Sequence, residues 1–266
     1  MKYRISVIMG IYNCAPTLEE ALDSLLAQTY QNFKVIMCDD GSTDNTVDIA
    51  QAYVDKFPEK FILLNNKKNL KLAATLNRCL EYVDTEYVAR MDGDDSCDPR
   101  RFQIQLDYLD HHPEYSHVSS AMKLFDEDGF YGRTPGVVPI PGKNEFKNGV
   151  PYCHAPTMFR TSTYSLVGGY TAEQRVERIE DYYLWYKIHR AGLQGYNIDE
   201  PLYFMRNDKN AFLRRKFRDR LRVFRIKREV CKGLGIKFAT FYAIKDLAKG
   251  FVPSTLVWYL KKKKFI

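Results

Sequence analysis

Four short segments carry residues able to do chemistry. In Asp92-Gly93-Asp94-Asp95, two or three carboxylates are presented from one tight turn that Gly93 makes possible. Hard oxygen ligands in that number suit Mg²⁺ or Mn²⁺, above all where phosphate oxygens complete the shell. Asp39-Asp40-Gly41-Ser42 sets two acids side by side; the run reads either as a plain turn capping the next helix or as a ligand-using pair. Glu180-Asp181 stands at the start of a helical pattern, where a carboxylate is favoured by the helix dipole but could equally act as a general base. His154, beside Pro156 and Thr157, reads as a hydrogen-bonded structural residue or a site residue. Neither GxGxxG nor GxxxxGK[ST] occurs, which disfavours a dinucleotide or P-loop site.

Elements must bring these segments together. Ile5–Met9, Phe33–Cys38, Phe61–Leu64 and Tyr87–Met91 are short apolar runs with the character of buried strands. Between them lie helical patterns over Pro16–Gln28, Asp44–Lys56 and Leu72–Tyr82, the second with Asp44 and Asn45 as candidate caps. Such alternation predicts an α/β fold: a Rossmann-like, mostly parallel sheet with helices on both faces. Ligands of these sheets sit beyond the carboxyl ends of the strands. Gly10-Ile11-Tyr12-Asn13, the Asp39–Ser42 run and the Asp92–Asp95 run are all expected at that edge. After Pro113 the pattern breaks into short strands and turns, consistent with a small antiparallel extension. Helical signal returns at Ile179–Ala191 and from about Phe212 onward, as a C-terminal helical tail.

Charge divides the chain in the same place. Residues 1–208 hold 22 Lys/Arg against 30 Asp/Glu, whereas residues 209–266 hold 18 against 3. An acidic body with a basic appendage predicts an anionic partner for the tail. Leu213, Phe217, Leu221 and Phe224 recur on one helical face among arginines, the composition of a helix lying in a membrane interface; the competing reading is a helix packed on the body. FVPSTLVWYLKKKKFI adds apolar residues beside four lysines. No helix-turn-helix, zinc or RNP-type signature accompanies the charge, so no nucleic acid is expected as a partner. The amino terminus lacks a signal-peptide pattern and no run approaches ~20 apolar residues, so a cytoplasmic protein, peripheral at the inner face of the cell membrane, is expected. The six scattered cysteines form no CxxC pair and no zinc spacing.

Taken in order, SVIMGIYN, QTYQNFKVIMCDDGSTDNT, RMDGDDSCDPRRFQIQLDYL, CHAPTMF, VGGY and EDYYLWYKIHRAG resemble the inverting family 2 glycosyltransferases with the GT-A fold, of the bacterial surface-polysaccharide type. The likeness spans roughly residues 4–206. It implies a catalytic domain over 1–208, divided into a nucleotide-binding part (1–112) and an acceptor-binding part (113–208), with 209–266 as a basic amphipathic tail. It also implies a nucleotide-sugar donor, a UDP-sugar foremost, and transfer of one sugar with inversion to a glycan or lipid-linked acceptor. On this reading Tyr12 stacks on the base, Asp40 hydrogen-bonds it, and backbone near Gly10 lines the pocket. Asp92 and Asp94 are the metal-binding DxD pair around Gly93, with Asp94 favoured as direct ligand of Mn²⁺ or Mg²⁺. His154 falls in a segment that lies near the donor diphosphate. Asp181 is the catalytic base and Glu180 its neighbour at the acceptor. The chain departs from the family at Lys71, where many relatives carry glycine; a cation there could reach the diphosphate.

Two rival readings stay open at this point. A sugar nucleotidyltransferase would use a similar sheet, but it needs a glycine-rich basic loop after the first strand, and GIYNCAPTL has none. A non-catalytic, membrane-recruited scaffold would have no use for Asp92, Asp94 and Asp181 together.

Overall fold

A computed structural model describes residues 2–134, 138–207 and 217–248. Leu213 and the segment 251–266 of the expected membrane-facing tail lie outside the described residues. The amino-terminal half alternates β1 (Ile5–Ile11), α1 (Ala15–Leu26), β2 (Phe33–Asp39), α2 (Thr46–Lys56), β3 (Phe61–Asn65), α3 (Leu72–Leu80) and β4 (Tyr87–Arg90). There follow β5 (Ser96–Cys97), α4 (Arg101–His111), β6 (Tyr115–Asp126), β7 (Gly129–Arg133), β8 (Met158–Arg160), α5 (Thr161–Val167), α6 (Glu180–Arg190) and β9 (Gln194–Arg206). Two more helices, α7 (Phe217–Gly233) and α8 (Ala239–Ala248), close the described chain.

One sheet of nine strands runs β3-β2-β1-β4-β8-β6-β9-β5, with β7 paired to β6. β1 lies parallel to β2 and β4, and β2 parallel to β3, in the expected order. β8 is antiparallel to both β4 and β6, which makes the extension. Its long members nevertheless pair in parallel: β6 and β9 run together from Tyr115/Gln194 to Phe125/Arg206, with shifts of register on the way.

β1 and β2 are buried on both faces, as the inner strands of a covered parallel sheet must be. Successive side chains therefore feed two cores. Ile5, Val7 and Met9 pack with Leu18, Leu22 and Phe102 on one face. Ile8 and Ile36 pack with Leu76, Trp185 and the tail residues Ile226 and Val230 on the other. Asp44 ties α2 to the strand-one loop: its carboxylate accepts from Thr46 N–H at 3.1 Å, Thr46 Oγ1 at 2.6 Å and Ala15 N–H at 3.2 Å. Among the described residues no helix is long and apolar enough to cross a membrane.

Candidate active site

The three polar runs meet beyond the carboxyl ends of β1, β2 and β4. Asn13 N–H donates to Ser42 Oγ at 2.9 Å, and Thr43 N–H returns a bond to Asn13 Oδ1 at 2.8 Å. The acidic turn joins them through Thr17 Oγ1, which donates to the Gly93 carbonyl at 2.9 Å. β9 holds the turn from its far side. Asp92 N–H donates to Tyr203 Oη at 3.1 Å, Arg206 N–H to Asp95 Oδ1 at 2.8 Å, and Arg206 Nε to the Asp94 carbonyl at 3.1 Å. Gly93 serves a purpose other than the expected one. It is not in the left-handed region, but a Cβ there would stand 2.8 Å from Cys14 Sγ, so glycine is needed for close approach.

Behind the turn, Arg90 occupies the end of β4 and is buried. One guanidinium nitrogen donates to Asp92 Oδ1 at 2.7 Å and the other to His154 Nδ1. Burial opposes the charge, yet Asp92 foremost, with Tyr170, Tyr203 and Asp181, holds the Arg90 pKa above its ordinary value. With Nδ1 accepting, His154 carries its proton on Nε2, which donates to Tyr170 Oη at 2.9 Å. Burial, then Arg90, pushes the His154 pKa well below the usual range, so the ring is neutral. Asn77 clasps Tyr170 in turn, donating to its carbonyl and accepting from its N–H, both at 2.8 Å. His154 therefore lies beneath the turn with both nitrogens engaged by protein groups.

α6 begins with the two expected acids. Burial raises the Asp181 pKa, against the lowering effects of the Tyr182 N–H, which donates to Asp181 Oδ1 at 2.7 Å, and of Arg90; nearby Asp92 raises it further. Glu180 is also raised, by burial and then by Asp181, and its Oε2 is buried with no hydrogen-bond partner. A cavity of about 620 Å³ opens alongside, lined by Gly10, Tyr12, Asp40, Lys71 and Glu180 among the expected residues. Asp92, Gly93, Asp94, Asp181 and His154 are not in its lining. Glu180 in that lining is the chain neighbour of Asp181, whose carboxylate feels the charges of Arg90 and Asp92.

Tyr12 is half exposed at the cavity mouth, a ready aromatic platform. Asp40 is buried, and its carboxylate accepts from Asn66 Nδ2 at 2.9 Å, Leu70 N–H at 2.7 Å and Lys71 N–H at 2.9 Å. Three of about four acceptor positions are thereby used to hold the loop before α3. Lys71 itself has φ 74° and ψ 160°, a conformation that is almost restricted to glycine.

The wall facing Lys71 comes from residues 171–178, and α7 braces it. Arg175 pairs with Glu229 at 2.8 Å, Arg222 with Glu177 at 3.1 Å, and Arg178 with Asp219 at 3.8 Å. Glu229 also accepts from Tyr183 Oη of α6 at 3.0 Å. Tyr203, Arg206 and Glu229 carry no motif, and although Arg90 opens the stretch RMDGDD and Asn77 closes Asn69–Asn77, sequence reasoning assigned a role to none of the five. The one available signal was Arg90, a lone cation at the end of a buried apolar strand directly before an acidic turn.

The acidic turn fits a hard divalent cation. Asp95 is buried, and its pKa stands well above the usual carboxylate range because of burial, Asp92 and Asp94. Arg90 pairs with Asp92 at 2.7 Å, and Arg206 Nε reaches the Asp94 carbonyl. Among the described residues no three His, Cys, Asp or Glu side chains form a ready-made metal cage. One or two carboxylates completed by substrate phosphates is the arrangement Mg²⁺ commonly takes.

A sheet whose strand ends present an aromatic platform, a pinned carboxylate and an acid-rich turn defines an enzyme of activated sugars on the GT-A plan. The family model described as Glycosyl transferase family 2 matches residues 6–167, and the chain belongs to that family. It is 40% identical over 263 residues to the putative glycosyltransferase EpsE of Bacillus subtilis (strain 168), covering 98% of this chain and 94% of that one. It is 26% identical to the UDP-Glc:alpha-D-GlcNAc-diphosphoundecaprenol beta-1,3-glucosyltransferase WfaP of Escherichia coli, over 92% of this chain and 94% of that one. Among solved structures, TarS of S. aureus in complex with UDP-GlcNAc superposes with a TM-score of 0.69 at 18% identity, covering 93% of this chain and 71% of that one. The mannosyltransferase PcManGT of Pyrobaculum calidifontis, solved with GDP-Man and Mn²⁺, gives 0.63 at 19% identity over 98% of this chain and 80% of that one.

Proposed function

We propose that this glycosyltransferase moves one sugar from a nucleotide-activated donor, a UDP-sugar foremost, to a glycan or lipid-linked acceptor in cell-surface polysaccharide synthesis, with inversion. The observation that carries the reading is the cavity itself, lined by the half-exposed Tyr12, Asp40, Lys71 and Glu180, the last of which is the chain neighbour of Asp181. Base, diphosphate and sugar would lie along the cavity in that order.

Tyr12 stacks on the base while Asp40, fixed by Leu70 and Lys71, has one acceptor position left for its edge. Backbone near Gly10 lines the donor pocket, Gly93 keeps the acidic turn close against Cys14, and Lys71 faces the donor phosphates. Asp92 and Asp94 would hold Mn²⁺ or Mg²⁺, which when bound neutralises charge on the leaving diphosphate. His154 acts at one remove, through Arg90 and Asp92. Asp181 takes the proton of the acceptor hydroxyl as that oxygen attacks the anomeric carbon from the side opposite the diphosphate. The unpartnered Oε2 of Glu180 accepts a hydroxyl hydrogen bond and orients the acceptor. Two relatives are named for diphosphoundecaprenol-linked acceptors, which supports a lipid-linked acceptor and a position at the cytosolic face of a membrane. The basic segment 209–266 then serves as the contact to an anionic membrane surface.

The test is a donor panel with Mn²⁺ or Mg²⁺, following nucleoside diphosphate release by wild type and Asp94→Ala. Metal-dependent release from one donor, lost in the variant, is the expected result. No release from any donor, with membrane extract present as acceptor source, would return the scaffold reading.

A further inference from the structure

The tail has two sides, and they do different work. On α7, Ile226, Val230 and Cys231 are buried in the core cluster that holds Trp185, with Val223 packed against it. Leu221 and Phe224, expected to face lipid, share this helix and are respectively exposed and half-buried. On α8, Ala239 is buried in the same cluster, and Ala243 is buried as well. The opposite side of α8 carries Phe238, Phe241 and Ile244, which are 77%, 65% and 52% exposed. Large apolar side chains so grouped on an otherwise charged surface mark an interaction site.

Phe238 is unusual in a second way. Its φ is +59°, in the left-handed region, which is a strained outlier for a bulky residue. No burial of the ring offsets that strain. The conformation holds an aromatic side chain outward at the very start of α8.

The surroundings of the patch are basic. Lys237 and Lys245 flank it and are exposed, and Arg228 Nε donates to Thr240 Oγ1 at 3.2 Å, which brings a guanidinium alongside. The described residues 217–248 hold 9 Lys/Arg against 3 Asp/Glu. A second copy of so basic a surface would be repelled. An anionic bilayer offers both complements at once, negative headgroups for the cations and an acyl boundary for the rings.

We propose that α8, through Phe238, Phe241 and Ile244, is the element that enters an anionic membrane interface, with α7 as the strut that carries it. This rests on the tail reading above and names the residues that do the work. Because α7 also braces residues 173–178, a docked α8 presents the cavity wall at a set height above the bilayer.

The experiment is co-sedimentation of the full chain with vesicles of phosphatidylglycerol and phosphatidylcholine, against vesicles of phosphatidylcholine alone. Wild type is expected to partition onto the anionic vesicles. Phe238→Glu/Phe241→Glu is expected to lose at least tenfold in partitioning while UDP binding and Tm stay as in wild type, and Leu221→Glu is expected to bind as wild type. Binding by wild type that the double variant retains would overturn the α8 assignment and leave the tail reading standing. No binding by wild type would sink both. A self-association of wild type that the double variant abolishes, without vesicle binding, would make the patch a protein interface instead.

Discussion

Arg90 joins Asp92 to His154: one guanidinium holds a carboxylate of the acidic turn on one side and a neutral imidazole on the other. Replacing it by methionine leaves Asp92 facing Asp95 without compensation. Removal of one partner of a buried ion pair costs about 3–5 kcal/mol. Arg90→Met should therefore unfold at a markedly lower temperature, and Arg90→Lys, which cannot span both partners, should weaken Mn²⁺ binding in a calorimetric titration. Unchanged Mn²⁺ affinity in the folded lysine variant would show that the bridge does not position Asp92.

Asp181 links activity and stability with opposite signs. Its folded-state pKa is raised, so the folded chain binds a proton more tightly than the unfolded one. Stability from this group is present at low pH and is lost as pH rises from the unfolded value through the folded one; at neutral pH the buried charge is a burden. Asp181→Asn should then keep or raise Tm at pH 7, while sugar transfer falls about 10²–10⁴-fold, the usual worth of a general base. A variant that loses both activity and Tm would make Asp181 a structural residue.

The same shift sets a pH profile. Transfer needs the ionised carboxylate, so kcat should rise with pH along an acid limb whose midpoint lies above the ordinary aspartate value. Glu180→Gln should retain that limb, and the residual activity of Asp181→Asn should lack it. If the limb followed Glu180 instead, the base would be the other carboxylate, whose Oε2 is buried and unpartnered.

Lys71 stands in a backbone conformation suited to glycine, at the loop that Asp40 holds. Lys71→Gly should relieve about 1 kcal/mol of strain, visible as a higher Tm, and should raise the donor KM severalfold by removing the cation. A lower KM would mean that Lys71 only obstructs the cavity.

The brace between α7 and the cavity wall can be loosened without harm to the core. Exposed ion pairs contribute about 0–1 kcal/mol each, so Glu229→Gln should leave Tm nearly unchanged. KM for donor or acceptor should rise, because residues 173–178 lose one of their three ion pairs to α7. Identical kinetic constants in the two proteins would detach α7 from the site.

Much of this was legible in the chain itself. β1 and β2 show as apolar, β-branched runs because both faces of the sheet are buried there, β3 and β4 as shorter apolar runs, and the helices between them carry plain apolar stripes. β9 was not legible. Asn197, Asp199, Glu200 and Pro201 interrupt its pattern, since the strand is only half covered and bends across shifts of register with β6. Asp92, Asp94 and Asp40 stood out by clustering at strand ends. Tyr203 and Arg206 did not, because each acts through a contact from a distant stretch of sequence, 111 residues away for Tyr203 on Asp92, and Arg90 did not because its second partner, His154, is 64 residues away. The reason for Gly93 was also hidden, since the sulfur it makes room for lies on another element.

Gly233, at the end of α7, leaves room for the hydroxyl of Tyr186: a Cβ there would stand 2.0 Å from that oxygen. α6, which carries the two acids, and the carboxyl end of α7 are thus shaped to each other. Chimaeras that exchange tails between related transferases should therefore fail when the junction falls between these helices. Partners taken from one parent across that seam should survive.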